Sequence, residues 1–417
     1  MPNALKTASK TTAIKPKIIP RHAHSIARQR ISQDALKVMM RLNEHGFKAH
    51  LVGGAVRDLL LNKRPKDFDV CTDARPRQIQ KLFRNSRIIG RRFKLVQVYY
   101  SKDRIIQVST FRDNAGFLPM EIEENQDRED LSLENLRNSE NVYGTEETDA
   151  LRRDLTINGL FYDLRSYSII DYVGGWEDLQ NKTIRVIGDP RERFAEDPVR
   201  LLRVLRHSAR TGFKIEEQCY NALLESSDLI LKASAVRVYD ELKKDMLSGS
   251  FAPFLNLMRS TGILGKLIPQ TAQTGAEWLF YERFFIECDK RVVYEQFKDE
   301  LVMLAGLVIY SLIGSSDFRG RFLKELKELN SKEGILQALN DSIGNLFMTR
   351  RAKDEIIDLI KFIKDTLQGI ERDQSLKGLK ARKIADLAHD FFSVLAIAGG
   401  DYFTNVFARL KQDCQWK

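Results

Sequence analysis

The sequence predicts an α+β protein, a small mixed-sheet head followed by an extended, all-helical remainder. Three observations predict it. Up to about Tyr172, short apolar runs of strand length alternate with amphipathic helical segments. From Cys219 onward, apolar positions recur at helical spacing almost without a break. The chain has 417 residues, 43% hydrophobic and 30% charged, which suits about two to four domains with several cores.

The bulk numbers exclude some classes. No apolar run reaches the roughly 18 residues a membrane span needs, and no apolar h-region marks a secretory leader. A cytoplasmic chain without a membrane partner is therefore expected. Cys71, Cys219, Cys288 and Cys414 lie far apart with no CxxC spacing. They read as reduced thiols, neither a disulfide framework nor a zinc site. Net charge is +10 and the pI about 9.3. Residues 111–149 carry twelve acids against three arginines, a local −9, so the rest of the chain stands at +19. A basic body with an acidic insertion fits a polyanion, most simply nucleic acid. A body that is basic only for solubility is the alternative.

The elements follow in order. Residues 1–17 are basic, without acids, and read as a flexible arm. Residues 31–47 form a helix with Ser32 at its start, an apolar stripe of Ala35, Val38, Met39 and Leu42, and Gly46 at its end. A strand at 50–52, a glycine pair, a helix at 55–61 and a second extended run at 67–71 come next. Pro65 ends that helix, because it lacks an N–H and restrains the residue before it. A helix at 74–83 starts near Pro76, and strands at 93–100 and 104–110 flank a turn. The aperiodic acidic segment of about 111–149 reads as a mobile loop. Residues 152–160 read as helix, 171–175 as a strand exit and 176–190 as a connector. A helix starting at Pro198 places Arg200, Arg203 and Arg206 on one face and Val199, Leu202 and Leu205 opposite. Further helices are expected at 236–247, 251–259, 278–289, 298–312, 319–329, 333–347, 351–367, 381–397 and 402–412. The basic residues between 350 and 383 are a candidate RNA-holding surface.

The chemistry concentrates in Ala49–Cys71, AHLVGGAVRDLLLNKRPKDFDVC. Gly53-Gly54 after a strand lets backbone approach a ligand closely, and the helix start behind it suits a phosphate. Asp67 and Asp69, at i and i+2 on a strand, share one face, with Phe68 anchoring the other. Two hard oxygen donors side by side suit Mg²⁺, which keeps other sites for water and substrate phosphate.

Strand, glycine pair, Arg57-Asp58, basic break and DxD fall in that order within one short stretch. The stretch resembles the head motif of the class II nucleotidyltransferases, the bacterial poly(A) polymerases and CCA-adding tRNA nucleotidyltransferases. Arg152-Arg153-Asp154-Leu155-Thr156-Ile157-Asn158 resembles the second signature of that family, and Glu196-Asp197 with Arg200 and Arg203 its base-reading motif. Gly90-Arg91-Arg92-Phe93, and Ile18–Arg21 with His24, Ile26 and Arg28, are similar to the polyadenylating branch.

The resemblance implies a nucleotidyltransferase head at 18–172, a neck for nucleobase recognition at 173–250, and a helical body and tail for RNA binding at 251–417. It implies catalytic Asp67, Asp69 and Asp154, with two Mg²⁺ on Asp67 and Asp69. Gly53, Gly54, Arg57, Arg153, Asn158, Asp197, Arg200 and Arg203 are implied to bind ATP, and Arg91, Arg92 and Arg206 are read as RNA contacts. The implied activity is template-independent polyadenylation of RNA 3′ ends, of mRNA, other single-stranded RNA or tRNA, with RNA-decay proteins as partners. CCA addition is the alternative within the family, and a catalytically impaired RNA-binding relative the alternative outside it. Two departures bear on the last. Gln107 stands where a Glu is expected in the polyadenylating branch, and Gln97 where that branch commonly has His.

Overall fold

In the computed structural model the chain divides into two units, Met1–Gly188 and Asp189–Lys417. The first therefore runs past the expected head boundary at 172. Residues 14–90, 94–113, 143–269, 277–294, 296–297, 300–313, 332–343, 346–381 and 384–416 are described.

The first unit is built on one eight-stranded sheet. Its strands are β1 (Lys17–Ile19), β2 (Ala49–Val52), β3 (Asp69–Thr72), β4 (Ser86–Ile89), β5 (Leu95–Tyr99), β6 (Ile105–Thr110), β7 (Leu160–Asp163) and β8 (Ser168–Asp171), in the order β1-β8-β7-β2-β3-β6-β5-β4. β3 pairs with β6 in parallel, while β2 pairs antiparallel with both β3 and β7. The sheet is mixed, as expected.

Alternation sets which face is covered. On β6, Ile106, Val108 and Thr110 are buried, while Ile105, Gln107 and Ser109 are more open. Helix α1 (Gln33–Glu44) buries Ala35, Leu36, Val38, Met39 and Leu42 and packs against β2, β3 and β6. Helix α3 (Pro76–Leu82) packs on β4, β5 and β6. Helix α2 (Gly54–Leu60) follows β2 directly. β2 itself is buried along its whole length, so its sequence AHLV shows no alternation.

Several expectations are corrected. Lys17 belongs to β1, which pairs with β8, and the Ile14 N–H donates to Glu147 at 2.7 Å, so the basic arm ends earlier than expected. Asp67 precedes β3, whose first residue is Asp69, and Phe68 is half-buried instead of anchored in the core. Residues 152–160 are not one helix. Helix α4 (Glu146–Leu151) stops with Arg152 as its cap, and a short 3₁₀ turn spans Thr156–Asn158. Arg153 and Asp154 lie in the bend between them. β4, β7 and helix α5 (Gly175–Gln180) were not read from the sequence. β7 is buried with no polar alternation, and β4 is a four-residue edge strand.

The described part of the second unit is almost entirely helical: α6 (Pro190–Glu196), α7 (Val199–Thr211), α8 (Glu217–Glu225), α9 (Ala235–Met246), α10 (Phe251–Ser260), α11 (Ile263–Leu267), α12 (Glu277–Val293), α13 (Leu301–Ile313), α14 (Lys332–Ile343), α15 (Arg350–Glu371), α16 (Ala385–Ala398) and α17 (Asp401–Cys414). The expected helix at 319–329 lies outside the described residues. Helix α7 packs against α9 and α10. No described helix is long and apolar enough to cross a membrane. None of the four cysteines is in a disulfide, and all four are buried.

Candidate nucleotide and metal site

Strand pairing brings the two halves of the principal motif together. Val52, the last residue of β2, stands opposite Asp69, the first of β3. The turn after β2 therefore begins beside Asp69. Gly53 has φ +68, a conformation that side chains adopt only with strain. A Cβ on Gly53 would lie 3.4 Å from Arg153 Nη1, and one on Gly54 3.5 Å from Arg57 Nη2. The glycine pair leaves room for two guanidiniums.

Those guanidiniums are held. Buried Arg57 donates to Asp58 Oδ1 at 2.9 and 2.7 Å and to Asn158 Oδ1 at 2.7 Å. Arg153 donates to the Asn158 carbonyl at 3.4 Å and lies 5.3 Å from the Phe161 ring. Gly53, Gly54, Arg57, Arg153 and Asn158, far apart in sequence, thus occupy one place beside Asp69.

Asp149 fixes Arg153 and was missed in the sequence. It is fully buried. Its Oδ2 accepts from Arg153 Nε and Nη2 at 3.2 and 2.8 Å, and its Oδ1 accepts from Arg152. Burial alone would raise its pKa, but the Arg153 and Arg152 guanidiniums bring it below the ordinary value. In the sequence it fell at the end of the expected acidic loop of about 111–149. The i, i+4 spacing to Arg153 was the available signal.

Helix α4 is pinned at its start as well. Glu146 takes His50 Nε2 at 2.6 Å and Lys48 Nζ at 3.2 Å. The His50 hydrogen bond is the largest cause that pushes the Glu146 pKa down to about 2. His50 is on β2 and Glu146 on α4, so this contact seats α4 on the face of the sheet that carries Asp69.

Asp67 and Asp69 form a carboxylate pair. Burial, then the Asp67 charge, raises the Asp69 pKa, against a smaller opposing pull from Arg153. Asp69 is nonetheless open to solvent on one side. Two crowded carboxylates beside guanidiniums suit a divalent cation that takes its other ligands from water and phosphate. Asp154 lies in the bend after α4, and its carbonyl accepts from the Ile187 N–H at 3.1 Å. Among the described residues, no three His, Cys, Asp or Glu side chains form a metal-holding group.

The second unit holds the other expected group. Asp197 caps α6, and its Oδ1 accepts from the Val199 N–H at the start of α7. Arg200 donates to the Arg193 carbonyl at 2.8 Å and to Glu196 at 2.9 Å. Arg203 donates to Glu241 Oε1 at 3.3 and 3.2 Å. Arg206, expected to touch RNA, is corrected: it is buried and paired with the other Glu241 oxygen. Burial would raise the Glu241 pKa, yet Arg206 and Arg203 hold it at about 2. Arg237 grips both Asp197 oxygens at 2.9 and 2.8 Å. Arg237 and Glu241 were also missed. They sit one turn apart on α9, some forty residues from their partners, and nothing local marks them. Arg91 and Arg92 lie outside the described residues.

Residues 49–185 match the Poly A polymerase head domain, and residues 212–274 the probable RNA and SrmB-binding site of polymerase A. The chain is 42% identical over 253 residues to Poly(A) polymerase I of Salmonella typhi, covering 60% of this chain and 53% of that protein. The chain thus carries the head domain of a poly(A) polymerase and is similar to bacterial poly(A) polymerases and CCA-adding enzymes. It is also 36% identical over 229 residues to a CCA-adding enzyme of Enterococcus faecalis, covering 54% of this chain and 52% of that protein. The fold is that of the Bacillus stearothermophilus CCA-adding enzyme solved with CTP, at a TM-score of 0.58 and 21% identity over 91% of this chain and 82% of that one. The chain spans about half the length of these curated relatives of the nucleotidyltransferase family.

Proposed function

We propose that this chain is a template-independent RNA nucleotidyltransferase of the polyadenylating type. It transfers AMP from ATP to an RNA 3′-hydroxyl and releases pyrophosphate. The observation that carries the proposal is the meeting of Gly53, Gly54, Arg57, Arg153 and Asn158 beside the Asp67–Asp69 pair.

The geometry supports the following roles. Arg57 and Arg153 neutralise the triphosphate of ATP, and the glycine pair lets it approach. Asn158, bonded to Arg57 and reached by Arg153, keeps the two cations in register. Asp67 and Asp69 would hold Mg²⁺, two ions being expected; when bound, it supplies Lewis-acid charge neutralisation. Asp154 is the candidate third acid. Asp197, Arg200 and Arg203 are the proposed readers of the nucleobase, fixed by Arg237 and Glu241. RNA 3′ ends are the acceptor, RNA-decay proteins the partners, and the cytoplasm the location.

CCA addition to tRNA is the second reading, supported by the identity to CCA-adding enzymes. The test offers purified chain a generic single-stranded RNA, or tRNA lacking CCA, with ATP, CTP or both. Long ATP-only tails on generic RNA support polyadenylation. A few residues added to tRNA alone, requiring CTP, move the assignment to CCA addition.

A further inference from the structure

Asp69 sits in the middle of the sheet, and the two sides of it differ. On the β2 and β7 side lie the glycine turn, Arg57, Arg153 and Asn158, a place suited to polyphosphate. On the other side a single row of side chains crosses three further strands. Asp69 on β3 stands opposite Gln107 on β6, Gln107 opposite Gln97 on β5, and Gln97 opposite Arg87 on β4. Residues in register point to one face, and strands lie about 4.8 Å apart, so Arg87 stands roughly 14 Å from Asp69.

This row is open. Gln107 and Arg87 are exposed, Gln97 and Tyr99 half-buried, whereas Val96, Val98, Ile106 and Val108 on the opposite face are buried. Strands β4, β5 and β6 contain no Asp or Glu at all. Among the described residues, Arg87 pairs with no carboxylate. The Tyr99 hydroxyl donates to Gln97 Oε1 at 2.6 Å, which turns the Gln97 amide N–H groups toward other acceptors. Leu95, Tyr99 and Ile105 flank the row on the same face and are partly exposed. Amide donors and acceptors, a tyrosine ring, apolar surface and one exposed guanidinium are what single-stranded RNA needs: hydrogen bonds to base edges, stacking, and a phosphate contact.

We propose that Gln107, Gln97, Tyr99 and Arg87 form the surface on which the last nucleotides of the acceptor RNA lie, running toward Asp69. This rests on the transferase reading above and adds the course of the acceptor strand. It also gives the two glutamines a role: their neutral amides can hydrogen-bond base edges beside the RNA phosphates.

The test uses two independent readouts. In the first, the full chain is irradiated with a single-stranded RNA carrying 4-thiouridine at its 3′ end, and the crosslinked peptides are mapped. Crosslinks in residues 86–110 are expected, and crosslinks confined to other segments overturn the proposal. This readout needs no turnover, so absence of transfer refutes the proposed function without touching this inference. In the second, Arg87→Gln and Gln97→Ala, alone and together, are compared with the parent chain for KM of RNA and of ATP, with melting temperatures as the folding check. The double variant is expected to raise the KM for RNA about tenfold with the KM for ATP within about twofold. Arg87→Gln alone is expected to lower the slope of log affinity on log salt by about 0.7, the loss of one single-strand phosphate contact. Arg87→Lys should restore that slope. A rise in the KM for ATP with that for RNA unchanged would assign the row to the nucleotide and refute the proposal.

Discussion

Arg237 holds both carboxylate oxygens of Asp197, at 2.9 and 2.8 Å, from a helix that starts almost forty residues later. A two-pronged guanidinium fixes the plane of a carboxylate as well as its position. If Asp197 reads the base, Arg237 sets the angle at which it does so. Arg237 is half-exposed, so Arg237→Ala should cost stability no more than about 1 kcal/mol. It should nevertheless lower the ratio of kcat/KM for ATP over CTP by about tenfold, or about 1.4 kcal/mol of discrimination. Competition between the two nucleotides in one reaction measures this directly. Arg237→Lys should recover little, because an ammonium is a point charge without the fork.

Asp149 tests how far the proposed phosphate cradle depends on a buried residue that fixes Arg153. Asp149→Asn leaves Arg153 and Arg152 beside a neutral amide in a buried setting. Removing one partner of such a pair costs about 3–5 kcal/mol, so the melting temperature should fall clearly. At a temperature where the variant is folded, the KM for ATP should rise more than the KM for RNA. An equal rise in both would point to general loosening of the head.

Glu241 gives a pH signature. Its folded pKa of about 2 lies below the ordinary 4.5, held there by Arg206 and Arg203 against burial. A depressed carboxylate contributes stability that is fully present above the unfolded value and is lost as pH falls toward the folded one. The contribution should therefore disappear between about pH 4.5 and about 2. Glu241→Gln should lower stability at pH 7 and flatten the acid limb in that window relative to the parent chain. Denaturant midpoints taken across the range measure both.

Gln107→Glu puts a carboxylate in register with Asp69. The concentration of Mg²⁺ giving half-maximal rate should fall, because a third acid adds to the donor set. The KM for RNA should rise, because the added charge lies in the proposed path of the acceptor strand. Titrations of metal and of RNA on the one variant separate the two effects.

Much of the head was legible because its signals are local. The order of strand, Gly53-Gly54, helix and Asp67-Asp69 sits in one short stretch, and the structure sets Val52 against Asp69 as that order requires. The helices of the second unit follow their apolar spacing, with ends displaced by a few residues. What escaped was long-range. Asp149, Arg237 and Glu241 act on partners fixed by tertiary packing, and a charged residue on a helix gives no local sign of which surface it meets. Arg200, Arg203 and Arg206 were placed on one helix face, the first two to read the base and the third to touch RNA. Glu241 pairs with both Arg203 and Arg206, and Arg206 is buried. β7 escaped because a strand covered on both faces loses its alternation.

The central claim is that Asp67 and Asp69 form the reaction centre. The measurement is RNA extension with ATP and Mg²⁺ by the parent chain, Asp67→Ala and Asp69→Ala, alongside melting temperature and RNA binding by fluorescence anisotropy. The expected result is extension by the parent chain and none by either variant, with RNA affinity and melting temperature close to those of the parent. Extension that persists in both variants at rates near the parent's would contradict the account.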